Sequence, residues 1–413
     1  MDGAARQSGG QAAVRSYLDH AATTSMLPAA QRAWLEAAQC TGNPSSLHAS
    51  GRSARRIVEE ARESISESLR TRPSWVVFTA GGTESDNLAI KGLYWARRSQ
   101  ARSRVLASAI EHHAVLDPVQ WLSEHEGADV RWLPVDREGR VEVTGLEDML
   151  AEAGEGTALC SVMWANNEVG TVQPVERIAA ACRARGVPFH TDAVQALGYL
   201  PMDLTALGAT AVTISSHKVG GPFGVGALIL DPSAGVTPVL HGGGQEREVR
   251  SGTLDAPGIA AFAVAVGQAV GHQREQSERI RQLRNRLVAG VRAAVPGAVL
   301  NGVGDLDDPQ GRLPGNAHFS FPGCEGDALL MLLDAAGIDC STGSACTAGI
   351  PEPSHVLLAM GVDERTARAS LRFSLGASST MEDVDRLLAA LPAAVERAER
   401  AGQVAVRAPR STR

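Results

Sequence analysis

Ala211-Val212-Thr213-Ile214-Ser215-Ser216-His217-Lys218 joins a β-branched run to a lysine, and Val219-Gly220-Gly221-Pro222-Phe223-Gly224-Val225-Gly226 follows at once. A short apolar run bounded by turn residues reads as a strand that delivers the lysine at its end. Upstream, Phe189-His190-Thr191-Asp192-Ala193-Val194-Gln195 repeats the arrangement with an aspartate in that place. Working outward, similar runs lie at 75–78, 104–108, 130–133, 158–164, 188–191 and 225–230, most of them separated by Ala-, Leu- and Arg-containing helical stretches. With 211–215 this makes seven strand candidates. Their alternation with helices predicts an α/β fold whose seven-stranded sheet is mostly parallel and covered on both faces.

A chain of 413 residues exceeds one ordinary core, which argues for two domains. The character changes after Pro257, where Ala- and Gly-rich sequence leads into a helix over 278–295 with Ile280, Leu283, Leu287 and Val291 at helical spacing, stopped by Pro296-Gly297. A strand over 316–321, a helix over 327–336 and a terminal helix over 381–400 complete a smaller α+β unit. The resulting division is a tail at 1–16, an N-terminal segment at 17–29 set against the small domain, a large domain at 30–270, a small domain at 271–400 and a basic tail at 401–413.

Apolar residues make up 44% and charged residues 21%, a globular composition. A net charge of −7 argues against nucleic-acid binding as the main task. No apolar run reaches the roughly 20 residues that cross a bilayer, and residues 1–16 lack the apolar core of a secretory signal. Six cysteines without a C-x-x-C pair form neither a disulfide framework nor a metal motif, which fits a reducing cytoplasm. Cys40, Cys160, Cys182 and Cys324 read as small apolar residues, and Cys340 as structural.

A lysine and a carboxylate at strand ends are what a pyridoxal phosphate enzyme needs. The lysine holds the aldehyde covalently, and the carboxylate keeps the pyridine nitrogen protonated. Lys218 alone reads equally as a surface lysine, and Asp192 as the cap of a following helix. Around them stand further groups of the same kind. Gly81-Gly82-Thr83 links the strand at 75–78 to a helix, with Thr83 and Asp86 spaced as a capping box, and backbone N–H groups at such a start bind phosphate. Ser215 and His217 are candidate phosphate ligands. Asn167 and Gln195 are neutral partners for a phenolate oxygen, and His112 or His113 could stack on the ring.

Taken together, the ordered motifs resemble those of the group I cysteine desulfurases of the nitrogen-fixation and iron–sulfur-assembly type, in the fold-type I class V aminotransferase superfamily. They are Tyr17-Leu18-Asp19-His20-Ala21-Ala22-Thr23-Thr24, Gly42-Asn43-Pro44-Ser45-Ser46, residues 81–87, Asn166-Asn167-Glu168, residues 215–218, His241-Gly242-Gly243-Gly244-Gln245-Glu246, Arg250-Ser251-Gly252-Thr253 and Ser341-Thr342-Gly343-Ser344-Ala345-Cys346. The wording is nearest that of actinobacterial members. In some relatives the loop after Asn43-Pro44 is one residue longer and carries an arginine, whereas here it reads Ser45-Ser46-Leu47-His48-Ala49-Ser50-Gly51-Arg52.

The resemblance implies a pyridoxal 5'-phosphate enzyme that converts L-cysteine to L-alanine and carries the sulfur as a persulfide on Cys346. It makes Lys218 the cofactor lysine, Asp192 the partner of the pyridine nitrogen and His112 the stacking residue. Gly82, Thr83, Ser215 and His217 would cradle the phosphate, with Thr253 reaching the site of the other subunit in a homodimer. Asn167 and Gln195 would face the ring oxygen and Arg372 the substrate carboxylate, for which a bidentate guanidinium is suited. The sulfur would pass to an iron–sulfur scaffold or another acceptor protein. A selenocysteine lyase or aminotransferase of the same fold would share Lys218 and Asp192 without needing Cys346 on a Gly/Ser loop. A noncatalytic scaffold would need neither.

Overall fold

The computed structural model describes residues 15–98, 100–343 and 353–407. Its strands are β1 (Ser16–Tyr17), β2 (Val76–Thr79), β3 (Arg104–Ser108), β4 (Asp129–Leu133), β5 (Thr157–Ser161), β6 (Phe189–Asp192), β7 (Ala211–Ser215), β8 (Gly226–Leu230), β9 (Val299–Leu300), β10 (Asn316–Ser320), β11 (Ile338–Asp339) and β12 (Ser370–Ser374). Seven of them form one sheet in the spatial order β2-β8-β7-β6-β5-β3-β4. Only β8 in that sheet runs against its neighbours, and the remaining pairings are parallel. Each expected strand is present within a few residues of its anticipated ends.

The burial of the strands follows from their composition. β2, β5, β6, β7 and β8 are buried throughout, as a sheet covered by helices on both faces requires. Edge strand β4 instead exposes Arg131 and Trp132, and a charged edge resists pairing with another chain. Because β8 is reversed and lies between β2 and β7, the C-terminal ends of β2 and β7 open on the same side as the start of β8. That edge of the sheet is where the strand-end residues gather.

A second core combines Leu18 with residues 280–398. The helix Gln273–Ala294 buries Ile280, Leu283, Leu287 and Val291 against Phe319, Phe373 and Leu387, each worth roughly 1.5–3 kcal/mol of removal from water. It starts five residues earlier than periodicity suggests, because Gln273 and Ser277 both donate to the Tyr199 carbonyl. Beneath it, β12, β10 and β9 form an antiparallel sheet.

Two tail boundaries are corrected. Ser16, assigned to the N-terminal tail, is fully buried in β1, which pairs in parallel with β11 through Ser16↔Ile338. The terminal helix, expected to end at Arg400, runs from Met381 to Arg407, so the first seven residues of the expected basic tail are helical. Ala401, Val404 and Ala405 carry no helix-breaking signal.

One strained turn lies beside β2. Glu246, Arg247 and Glu248 have φ of 47°, 57° and 66°, a left-handed region disfavoured for side-chain-bearing residues. Buried contacts hold it. Glu246 accepts from the Arg62 guanidinium at 2.7 Å and from the Phe78 N–H at 2.7 Å.

Candidate active site

Residues that follow β2, β3, β5, β6 and β7 line a cavity of about 380 Å³, joined by Arg372 of β12 and by Ser341 and Gly343. It lies at the carboxyl ends of the parallel strands, where α/β folds place their ligands. Among the twelve residues singled out from the sequence, Gly82, Thr83, His112, Asn167, Asp192, Gln195, Ser215, His217, Lys218 and Arg372 all line it. Thr253 is exposed and lies off this cavity. Cys346 lies outside the described residues.

Lys218 ends the short turn Ser216–Lys218 that leaves β7. Its Nζ donates to the Ala21 carbonyl at 2.6 Å and the Ala22 carbonyl at 2.8 Å. Burial and the nearby Arg372 charge lower its pKa to about 8, with Asp192 and Asp19 opposing. A substantial share of the amine is therefore neutral near physiological pH, as a lysine nucleophile or base requires.

Asp192 closes β6, and its Oδ1 accepts from the Val194 N–H at 2.8 Å. Turn residues follow rather than a helix, so it caps none. Burial and the Asp86 carboxylate push its pKa up to about 7. Behind it, His190 is wholly buried, with Nδ1 2.9 Å from Ser161 Oγ and Nε2 3.1 Å from Thr213 Oγ1. Burial lowers His190 to about 4, so at neutral pH it carries no charge to hold either acid ionised. An acid placed this way is ionised by a cation arriving from the cavity side.

The expected capping box at Thr83 and Asp86 is not formed. The helix spans Gly82–Arg98, so Thr83 is already inside its first turn. Asp86 instead turns inward, where burial lifts it to about 7 and Thr213 partly offsets this. Glu84 takes over the start, accepting from the Ala80 N–H at 2.8 Å while Arg250 braces its carboxylate at 2.7 Å. The phosphate-type cradle survives this correction. A Cβ on Gly82 would lie 3.2 Å from Val194 Cγ2 and 3.6 Å from Ser215 Cβ, so the helix start stands directly against β7.

His112 precedes the helix His113–Glu126, and its Nδ1 accepts from the Ala114 N–H at 3.1 Å. The proton of the neutral ring is then on Nε2. Although it opens to the cavity, the surrounding protein and then the Lys218 charge lower its pKa to about 4. His113 also borders the cavity but is turned to Asp117 at 3.0 Å and to the His355 ring at 5.2 Å. These ties favour His112 as the ring facing a ligand. His217 Nδ1 lies 3.2 Å from Thr23 Oγ1, and burial followed by Lys218 lowers its pKa to about 4.

Gln195 donates from Nε2 to the Ala21 carbonyl at 2.9 Å, the oxygen that Lys218 also uses. Arg372 donates to the Asn167 carbonyl at 3.0 Å and to Asp19 at 2.7 Å. Ala21, Asp19, Glu168 and His190 thus belong to the surroundings of the site without a role having been read for them, and Asp86 belongs there in place of its expected capping role. Asp19 and Ala21 stand in the motif at 17–24 and Glu168 in the motif at 166–168, which was the only signal available.

The donor set fits pyridoxal phosphate. A carboxylate awaiting a cation faces a neutral-capable lysine, a helix start with Ser215 and His217 beside it suits a phosphate, and His112 borders the space between. No cluster of three or more metal-ligating side chains exists among the described residues. No helix among them is long and apolar enough to cross a membrane.

The aminotransferase class-V family profile matches residues 16–387. The chain is 56% identical over 397 residues to an IscS-like cysteine desulfurase of Mycobacterium tuberculosis, covering 96% of this chain and 100% of that one. A solved structure described as a NifS-like protein superposes with a TM-score of 0.85 at 35% identity, covering 93% of this chain and 100% of the other. A second, described as SspA in complex with cysteine, gives a TM-score of 0.75 at 32% identity over 88% of this chain and 100% of the other.

Proposed function

Because the chain belongs to the aminotransferase class-V family, and within it to the IscS-like cysteine desulfurases, we propose that it converts L-cysteine to L-alanine and keeps the sulfur as a persulfide on Cys346. The convergence of Lys218, Asp192, His112 and Arg372 on one cavity carries the reading. Bound there, pyridoxal phosphate supplies an electron sink that weakens the bonds at the substrate Cα. Lys218 would hold it covalently, Asp192 would keep its ring nitrogen protonated, and His112 would pack on the ring. Gly82, Thr83, Ser215 and His217 would receive the phosphate, and Asn167 and Gln195 would serve the ring oxygen.

Arg372 orients the incoming amino acid by its carboxylate. Lys218 would serve as the base that takes the Cα proton, for which a pKa of about 8 is well matched. His112, neutral at working pH, relays the proton of the substrate thiol. Cys346 Sγ, as thiolate, bonds to the substrate sulfur while the substrate Cβ–S bond breaks with its electron pair left on carbon. Cβ takes up a proton, Lys218 returns its proton to Cα, alanine departs, and Cys346 holds the extra sulfur for an acceptor protein such as an iron–sulfur scaffold.

The exposure of Thr253, away from the cavity of its own chain, supports a homodimer in which it completes the partner's phosphate site. The second core beginning with the helix Gln273–Ala294 supports a division into a large unit at 30–270 and a small one at 271–400. The free, widely spaced cysteines among the described residues support a cytoplasmic location.

Mass spectrometry of the intact protein and its peptides after incubation with cysteine tests the reading. A gain of one sulfur on the peptide bearing Cys346, with stoichiometric alanine, is the expected result. In Cys346→Ser the cofactor should remain on Lys218 while alanine formation stops. Normal turnover in that variant would remove Cys346 from the mechanism.

A further inference from the structure

Cys346 lies in sequence between two described stems, one passing beside the Glu168 carboxylate and the other bonded to it. On one side, Arg372 N donates to Ser341 O at 2.6 Å and Ser341 N to Arg372 O at 3.2 Å, a backbone exchange that fixes this stem to β12. Gly343 N then donates to Ser341 Oγ at 3.0 Å. Gly343 has φ +84°, and a Cβ there would stand 3.4 Å from Glu168 Oε2 and 3.1 Å from His318 Nε2. The backbone therefore runs directly past the glutamate. On the other side, Ser354 Oγ donates to that same Oε2 and accepts from the Leu357 N–H at 3.1 Å, which starts the helix His355–Ala359.

Glu168 is itself rigidly mounted. It is 2% exposed, and its N–H donates to Asn166 Oδ1 at 2.9 Å, while Asn166 Nδ2 donates to Ile110 O at 2.9 Å. The neighbouring Asn167 carbonyl accepts from Arg372 Nη1. A continuous chain of contacts results, running from Ser341 through Arg372, Asn167 and Glu168 to Ser354. Buried away from water, this hydrogen bond fixes position because breaking it leaves buried polar groups unsatisfied.

We propose that Glu168 is a positioning residue for sulfur transfer, holding the Ser354 stem of the Cys346 segment in register with the Ser341 stem that the Arg372 backbone fixes. This rests on the reading in which Cys346 receives the sulfur. Arg372 would fix the substrate at one end of this chain, and Glu168 fixes Ser354, the described stem that follows Cys346 in sequence. Small displacements between nucleophile and target are costly in rate, because reacting atoms must meet within a narrow range of distance and angle.

The test uses full-length holoenzyme carrying Glu168→Ala, Glu168→Gln or Ser354→Ala. Three quantities are read: cofactor on the Lys218 peptide, the Kd for cysteine from the cofactor's spectral change, and the rapid-quench rate of persulfide formation on Cys346. In Glu168→Ala and Ser354→Ala the persulfide rate should fall on the order of tenfold to a hundredfold, with cofactor and Kd unchanged. Glu168→Gln, whose amide oxygen still accepts from Ser354, should recover most of the rate. Wild-type persulfide rates in Glu168→Ala and Ser354→Ala overturn the inference, as does a parallel loss of cysteine binding. If Glu168→Ala does not fold, Ser354→Ala alone decides it. Wild-type enzyme that forms no persulfide on Cys346 overturns the underlying reading instead, so the two failures are distinct.

Discussion

Arg372 Nη2 reaches Asp19 Oδ1 across 2.7 Å, joining a strand of the second core to the first turn after β1. With Nη1 on the Asn167 carbonyl, the guanidinium plane is fixed from two sides, and its buried Nε has no partner among the described residues. An arginine held this way presents its fork to a carboxylate without reorganising.

Arg372→Lys removes the planar fork while keeping the charge. The loss of one charge-assisted hydrogen bond, about 1.5–3 kcal/mol, corresponds to a rise in KM for cysteine of roughly tenfold to a hundredfold. Steady-state kinetics should show this rise with the cofactor still on Lys218. An unchanged KM would remove Arg372 from substrate binding.

Lys218→Ala should leave no cofactor covalently attached. Borohydride reduction followed by peptide mass spectrometry reads this directly, and a cofactor-bearing peptide in the variant would place the attachment elsewhere.

Asp86→Asn should stabilise the cofactor-free protein in a pH-dependent way. Burial raises Asp86 from 3.8 to about 7. A group whose folded pKa is raised contributes stability that is complete below the unfolded pKa and lost as pH rises through the folded one. Replacing it with a neutral amide should therefore raise stability by up to a few kcal/mol above pH 7, the gain closing toward pH 4. Urea unfolding at pH 4.5 and pH 8 checks the sign. A gain confined to the acid side would contradict the burial argument.

Gly226→Ala tests the join between β8 and the glycine turn. Its Cβ would lie 2.7 Å from the Gly81 backbone and 2.9 Å from Ile214 O, neither of which is a movable side-chain tip. Overpacking of this kind costs about 1–3 kcal/mol, and because Gly81 adjoins the phosphate cradle, the variant should also bind pyridoxal phosphate more weakly. Denaturant unfolding and a cofactor titration report the two effects separately.

The strands were legible because β-branched runs between turn residues have few other uses, and the Ile280, Leu283, Leu287, Val291 stripe because helical spacing survives without tertiary knowledge. Lys218 and Asp192 were legible through the company they keep. The start of the helix at Gly82 was not, since Glu84 competes with Thr83 for the same backbone donors and Arg250, far along the chain, settles the contest. His190 beside Asp86 was equally hidden, because packing of the helix Gly82–Arg98 on β6 creates their proximity. The bond between Glu168 and Ser354 spans 186 positions and leaves no periodic trace.

The pairing of β1 with β11 has a consequence for synthesis. Ser16 and Leu18 leave the ribosome more than three hundred positions before their partners Ile338 and Phe373. The β1 segment must stay unpaired while the whole seven-stranded sheet is translated, and the second core cannot close until that segment is captured. Birth order and assembly order are thus inverted at this seam.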